Sequence, residues 1–185
     1  MKQTIETVAQ EIQEVLSRIG EEEALHFARQ LNQAQRIFVT GEGRSGLMGK
    51  AFAMRLMHGN YPVYVVGETV TPSIQPEDLL IVITGSGSTG NLYNYATKAR
   101  EIGAHIGLVT TNPESKIGEI SEFTLTIPAA TKYRRPGEPS TIQPLGNQFD
   151  QSVHLALDAI IIYALKEKVE GDPNQMMRER HTNLE

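Results

Sequence analysis

The 185-residue chain contains no cysteine, and this absence removes several classes of chemistry at once. Disulfide bonds, thiolate zinc sites, iron–sulfur clusters and cysteine nucleophiles all need a thiol. A chain without cysteine is typical of a reducing compartment, so we expect a cytoplasmic protein.

Long apolar runs and an excess of basic charge are also missing. No stretch approaches the roughly 18 apolar residues of a membrane span, and the first twenty residues lack the apolar core of a signal peptide. The 17 Lys and Arg are outnumbered by 22 Asp and Glu, for a net charge of −5. Nucleic acids are bound through clustered cations, so we expect neither a nucleic-acid nor a membrane partner.

The composition is that of one globular domain, because 39% of the residues are hydrophobic and 21% are charged. We expect a single domain over 1–185. It divides into N-terminal helices over 1–34, an α/β core over 36–168 and a C-terminal tail over 169–185.

Apolar periodicity predicts an alternation of strands and helices in this core. The predicted helices span 1–19, 21–34, 45–58, 91–102, about 115–120 and 146–168, and the predicted strands span 36–40, 63–66, 79–84, 106–110 and 123–127. Parallel neighbours need crossover helices, so the pattern indicates an α/β fold with a doubly wound, five-stranded parallel sheet of the flavodoxin-like kind. The proline-containing stretch 128–145 is expected to be a loop. The helix over 146–168 is apolar around most of its circumference, which suggests a subunit contact.

A glycine motif follows the first strand. Gly41-Glu-Gly-Arg-Ser-Gly46 matches G-x-G-x-x-G between a strand and a helix. Glu68, at the end of the next strand, stands where dinucleotide-binding folds place a ribose-binding acid. One interpretation is therefore an NAD-dependent oxidoreductase.

A second loop favours a different ligand. Thr84-Gly-Ser-Gly-Ser-Thr-Gly90 brings four hydroxyl groups and the amides of a helix N-terminus together, which suits a phosphate monoester. No Walker lysine accompanies it, so nucleoside triphosphate hydrolysis is not indicated. The alternative is an ordinary strand-to-helix turn with Ser and Thr as N-caps.

Both loops follow neighbouring strands, so Arg44 and Ser45 are expected to face the second loop across a topological switch point. This pair of loops resembles sugar isomerase (SIS) domains. The resemblance extends to the 6-phospho-3-hexuloisomerase family through segments that include Phe52-Ala-Met-Arg-Leu-Met-His58, Thr141-Ile-Gln-Pro-Leu-Gly146 and His181-Thr-Asn-Leu-Glu185.

The resemblance implies the interconversion of D-arabino-3-hexulose 6-phosphate and fructose 6-phosphate through an enediol, without a metal or other cofactor. It also implies a homotetramer. The family's base is a glutamate after phenylalanine, whereas this chain has Asp150, one methylene shorter. Gly90 is a second departure, because relatives often carry a glutamate after the loop threonine.

The residues assigned to a phosphosugar substrate belong to the two loops and the long loop before the last large helix. They are Arg44, Ser45, Thr84, Ser86, Gly87, Ser88, Thr89, Gly90, Asn91 and Arg134, although Arg134 also fits a solvated cluster with Lys132 and Arg135.

The expected catalytic residues are Asp150, His181 and His58, with His181 reaching a neighbouring subunit's site. The alternatives for Asp150 and the histidines are structural roles. For the whole protein, a non-catalytic phosphosugar-sensing module is the main alternative.

Overall fold

The computed structural model describes residues 1–184 and contains six α-helices and five strands. The helices are α1 (Lys2–Leu16), α2 (Glu21–Gln33), α3 (Gly43–His58), α4 (Gly90–Ile102), α5 (Asn147–Lys168) and α6 (Pro173–Glu179). The strands are β1 (Ile37–Gly41), β2 (Val63–Val65), β3 (Leu79–Ile83), β4 (His105–Thr110) and β5 (Phe123–Thr126). Glu185, the last residue of the predicted tail motif, lies outside the described residues.

All five strands pair in parallel, in the order β2-β1-β3-β4-β5. The predicted doubly wound α/β sheet is confirmed. The run Leu79-Leu-Ile-Val-Ile83 has every residue buried, as expected of a strand that helices cover on both faces. Because the chain leaves β1 toward one edge and returns at β3 on the other side, the switch point lies between β1 and β3.

The two faces of the sheet carry unequal layers. One core joins inward side chains of α1, α2, α3 and α5 to alternate strand residues such as Val39 and Ile83. The other core packs α4 against Phe38, Val82 and Leu108. In the part of the chain that the structure describes, no helix is both long and apolar enough to cross a membrane.

Two predicted helices are shorter than expected. The first ends at Leu16 rather than at residue 19, and the stretch 115–120 forms only a 3-10 turn, Gly118–Ile120. The Ser115 hydroxyl accepts a hydrogen bond from the Gly118 amide at 3.2 Å, which closes a tight turn in place of a helix. A Cβ at Gly118 would lie 1.8 Å from a backbone oxygen, so the chain is too crowded there for any other residue.

Candidate active site

A cavity of about 450 Å³ opens at the carboxyl ends of β1 and β3, where the predicted switch point lies. Its walls come from three parts of the chain: the turn after β1, the loop after β3, and the segment that leads into α5. The lining residues are Glu42, Gly43, Arg44, Ser45, Ile83, Thr84, Gly85, Ser86, Thr89, Leu92, Thr131, Lys132, Tyr133, Leu145, Gly146, Phe149 and Asp150.

The turn after β1 is very tight. A Cβ at Gly46 would lie 2.5 Å from the carbonyl oxygen of Gly41, so only glycine lets α3 begin this close to the strand end. The turn therefore directs Arg44 and Ser45, in the first turn of α3, into the cavity.

Glu68, the acid that the dinucleotide interpretation singles out, forms an ion pair with Lys50 at 2.6 Å. Neither residue is among those that line the cavity.

The loop after β3 turns hydroxyl groups toward the same space. Thr84 is buried, and its Oγ1 lies 3.1 Å from Oγ1 of Thr89, the residue before α4. The hydroxyl of Thr111 donates to the Gly85 carbonyl at 2.7 Å and fixes the start of the loop. With the α4 amides at its far end, the loop presents hydrogen-bond donors and a helix N-terminus to one small volume, which suits an anion.

Gly87 lets this loop bend against the next one. Its φ is +65°, and a Cβ there would lie 2.0 Å from the Ser115 hydroxyl oxygen. The Gly87 carbonyl accepts a hydrogen bond from the Ile117 amide at 3.1 Å. The turn after β4 therefore holds the loop after β3 in place.

Four predicted binding residues, Gly87, Ser88, Gly90 and Asn91, are not among the lining residues. Asn91 instead donates from Nδ2 to Glu42 at 3.0 Å and so joins the two loops. Glu42 lines the cavity and was missed by the sequence interpretation, which treated it as the variable position of the glycine motif.

Asp150 lies in the first turn of α5 and is buried in the cavity wall. Its carboxylate accepts hydrogen bonds from the Ser45 hydroxyl at 2.9 Å and from Nε of Arg44 at 3.2 Å. Burial raises the pKa of Asp150 above its ordinary value, while Ser45 and Arg44 act in the opposite direction. The result is a carboxyl group with strengthened basicity beside the hydroxyl-rich loop.

The two predicted catalytic histidines lie elsewhere in the chain. His58 is at the opposite end of α3 from Ser45, about 20 Å away along the helix axis. Its ring stacks on that of His181, with 5.5 Å between ring centroids. Burial lowers the pKa of His58, and the charges of Arg55 and His181 lower it further. Neither ring lines the cavity of its own chain.

Arg134 is not brought into the cavity either. Its guanidinium donates to the backbone carbonyls of Thr131, Gln143 and Leu145. Because its guanidinium is occupied by these hydrogen bonds, Arg134 holds the loop rather than a ligand. The neighbouring Lys132 and Tyr133 line the cavity instead. Lys132 is therefore the candidate in this loop for a cation that contacts the substrate.

Among residues 1–184, no group of three or more acidic or histidine side chains is placed to hold a metal ion. The polar groups that converge on the cavity are hydroxyls, amides, two cations and two carboxylates. This arrangement can bind an anionic substrate and move a proton through Asp150.

Fold and cavity together define an α/β protein with an anion-binding loop at the switch point of a parallel sheet. A family model described as SIS domain matches residues 30–143. The chain therefore belongs to the SIS-domain family.

Relatives of nearly the same length extend the similarity beyond the matched domain. The chain is 38% identical to a Bacillus subtilis protein named 3-hexulose-6-phosphate isomerase, over 98% of this chain and 99% of the relative. A Mycobacterium gastri protein of the same name is 36% identical over 96% of this chain and 88% of its own. A solved Methanococcus jannaschii structure, described as inferring the same molecular function, is 30% identical with a TM-score of 0.82 and covers 97% of this chain and 98% of that one.

Proposed function

We propose that this protein is an isomerase that interconverts D-arabino-3-hexulose 6-phosphate and fructose 6-phosphate, as the names of its full-length relatives suggest. The observation that carries the proposal is the buried Asp150 carboxylate, held by Ser45 and Arg44 beside an anion-binding loop. A sensing module needs the loop but has no need of a buried base.

In this proposal the loop after β3 binds the phosphate through Thr84, Ser86 and Thr89, and Lys132 supplies a cation. The amides of the first turn of α4, which begins at Gly90, contribute the positive end of its dipole. Because the loop after β3 holds the phosphate, its position determines the distance between the sugar carbons and Asp150 on α5.

The reaction moves a carbonyl between C3 and C2. Asp150 takes the proton from C2 of the 3-ketose, and the electron pair of that C–H bond forms the C2–C3 double bond of an enediol. As this double bond forms, the electron pair of the C3 carbonyl moves onto its oxygen, and the proton of the C2 hydroxyl passes to that oxygen across the enediolate. The same carboxylic acid then returns the carbon-bound proton to C3 as the C2 oxygen becomes the new carbonyl oxygen. Arg44 stabilises the negative charge that develops on the enediolate oxygens. No atom is gained or lost, and one carboxylate suffices for the two proton transfers at carbon.

An exchange experiment in deuterated water tests the reaction. Fructose 6-phosphate incubated with the protein should acquire deuterium at C3, and the 3-ketose formed should carry deuterium at C2. Asp150→Asn should abolish both signals. Asp158→Asn, on the same helix and paired with His154 outside the cavity, should retain them. Exchange at C1 alone would instead identify an aldose–ketose isomerase, and binding without exchange would support the sensing module.

We also propose a cytoplasmic homotetramer in which the single domain over 1–185 is the repeating unit. Large apolar side chains remain exposed on the outer surfaces of α3 and α5: Met54, Met57, Leu155, Ile162 and Tyr163. Burying them between copies removes apolar surface from water. Light scattering on the purified protein measures the assembly, and a monomer would contradict it.

Such an assembly is also required if His58 or His181 acts in catalysis. Mixing inactive Asp150→Asn with inactive His181→Ala subunits should restore part of the activity if a site combines residues from two chains. Unrestored activity would restrict His181 to a structural role.

A further inference from the structure

One wall of the cavity is an irregular segment, residues 128–146, that connects β5 to α5. Five of the lining residues belong to it: Thr131, Lys132, Tyr133, Leu145 and Gly146. The segment has four prolines and no helix or strand, so its shape depends on side chains that bind its backbone.

The Arg134 side chain ties the two ends of this segment together. It donates to the carbonyls of Thr131 and Leu145, which both line the cavity, and to that of Gln143 between them. Arg134 and Leu145 themselves have φ values of 48° and 52°. Residues other than glycine are strained there and need surrounding contacts to keep them in place.

Gln148 of α5 holds the start of the segment by accepting a hydrogen bond from the Ala130 amide at 2.7 Å, and Glu11 in α1 holds its far part. Its carboxylate accepts hydrogen bonds from the Thr141 hydroxyl at 2.6 Å, the Ile142 amide at 2.7 Å and the Gln143 side-chain amide at 2.9 Å. Only 9% of Glu11 is exposed. Burial acts to raise the pKa of Glu11, but the bonds from Thr141, Gln143 and Ile142 outweigh it and keep the pKa below its ordinary value. The group therefore remains an anion at neutral pH.

We propose that Glu11 is a positioning residue of the active site, which acts by holding the 128–146 segment in the shape that closes the cavity. The inference rests on the proposed function for its kinetic consequence. Glu11 touches none of the lining residues through these bonds; it acts through Thr141 and Gln143, and Arg134 carries the constraint from Gln143 to Thr131 and Leu145. Helix α1 therefore contributes to the shape of the active site, although the stretch matched by the SIS-domain model begins at residue 30.

Kinetics of Glu11→Ala test the inference, with Glu14→Ala as the control on the exposed face of the same helix. If the variant populates the closed segment only one tenth of the time, its apparent affinity falls by the same factor. We expect the KM for fructose 6-phosphate to rise about tenfold while kcat changes less than about twofold. Glu14→Ala should match the wild type in both constants.

Trypsin gives a second readout that needs no turnover. The Lys132–Tyr133 and Arg134–Arg135 bonds are trypsin sites inside the segment. Glu11→Ala should be cut at these bonds faster than the wild type, and fructose 6-phosphate should slow the cleavage. Thr141→Val keeps the side-chain shape but removes one of the three donors to Glu11 and the acceptor of the Gln143 amide. It should show the same changes at a smaller size, with a smaller loss of Tm than Glu11→Ala.

The outcomes separate the possibilities. Unchanged KM and unchanged cleavage in Glu11→Ala would overturn the inference. Cleavage throughout the chain with a lowered Tm would show a structural role, and if Glu11→Ala does not fold, Thr141→Val decides between the two. A wild-type protein without isomerase activity would refute the proposed function, whereas faster cleavage of the segment in the variant would still support the positioning role of Glu11.

Discussion

Replacing Gly87 by alanine tests how far the anion-binding loop controls the reaction. The new Cβ would lie 2.0 Å from Oγ and 2.4 Å from Cβ of Ser115, whereas ordinary contacts begin near 3.4 Å. Rotation of the Ser115 side chain can move Oγ but not Cβ, so the two chain segments must separate by at least about 1.0 Å at that point. The φ of +65° adds about 1 kcal/mol of backbone strain for any residue with a Cβ.

A displacement of this size decides the expected rate. Misplacing a substrate by about 1 Å can cost about 100-fold, which corresponds to about 2.7 kcal/mol of transition-state stabilisation. We expect kcat/KM for fructose 6-phosphate in Gly87→Ala to fall by about that factor. The measurement is initial-rate kinetics, with Tm followed in parallel to detect loss of folded protein.

Two further variants distinguish the effect of the steric clash with Ser115 from the effect of backbone strain at a positive φ. Gly103→Ala has the same kind of strain, with a φ of +97°, but the nearest atom to its Cβ, in Pro76, is 3.6 Å away. We expect it to lose stability and to keep its kcat/KM. Adding Ser115→Gly to Gly87→Ala removes the two closest atoms, although the Asn112 carbonyl oxygen stays 3.1 Å away and the hydrogen bond to the Gly118 amide is lost, so we expect part of the activity to return. Full activity in Gly87→Ala alone would refute the view that the loop position limits the rate.

Three other perturbations have defined outcomes. Asp150→Asn should lower kcat by about 10²- to 10⁴-fold, the usual contribution of a general base, while binding of fructose 6-phosphate by calorimetry persists; an active variant would move the base elsewhere. Ser45→Ala removes a hydrogen bond that lowers the pKa of Asp150, so this pKa should rise further and the acid limb of the kcat–pH profile should move to higher pH; an unmoved limb would contradict the contact. The hydrogen bond to Glu122 raises the pKa of His105, so its stabilising contribution is complete below about pH 6.5 and is lost as pH rises through the folded-state value. Urea unfolding of His105→Gln should show a smaller loss of stability over that range than the wild type, and parallel curves would argue against the pair.

The sheet could be predicted because its strands are short apolar runs separated by helix-length polar stretches. The run Leu79–Ile83 is short and is followed by a glycine loop, which favours a buried strand over a helix, and the two glycine loops must meet once β1 and β3 are neighbours. The ends of elements were less predictable, because they depend on local hydrogen bonds. The Ser115 hydroxyl, for example, replaces a helix by a single turn.

Side-chain partners across long sequence separations were not predictable. Nothing in the sequence near Arg134 indicates that its guanidinium binds backbone carbonyls, and the stacking of His58 on His181 depends on how α6 packs against α3. One signal for Glu11 was present: it lies among Val8, Ile12 and Val15 on the apolar stripe of the first helix. A lone carboxylate on a buried face needs donors from elsewhere in the fold.

Asp150 belongs to α5, some 60 residues after the loop that the sheet holds in place, and beyond the stretch matched by the family model. In the proposed function, phosphate recognition and proton transfer are therefore encoded in separate stretches of the chain. If Asp150 is the base, as we propose, a single codon change at position 150 would stop turnover and leave the loop after β3 unchanged, which would give evolution a short route from a metabolic enzyme to a receptor for the same sugar.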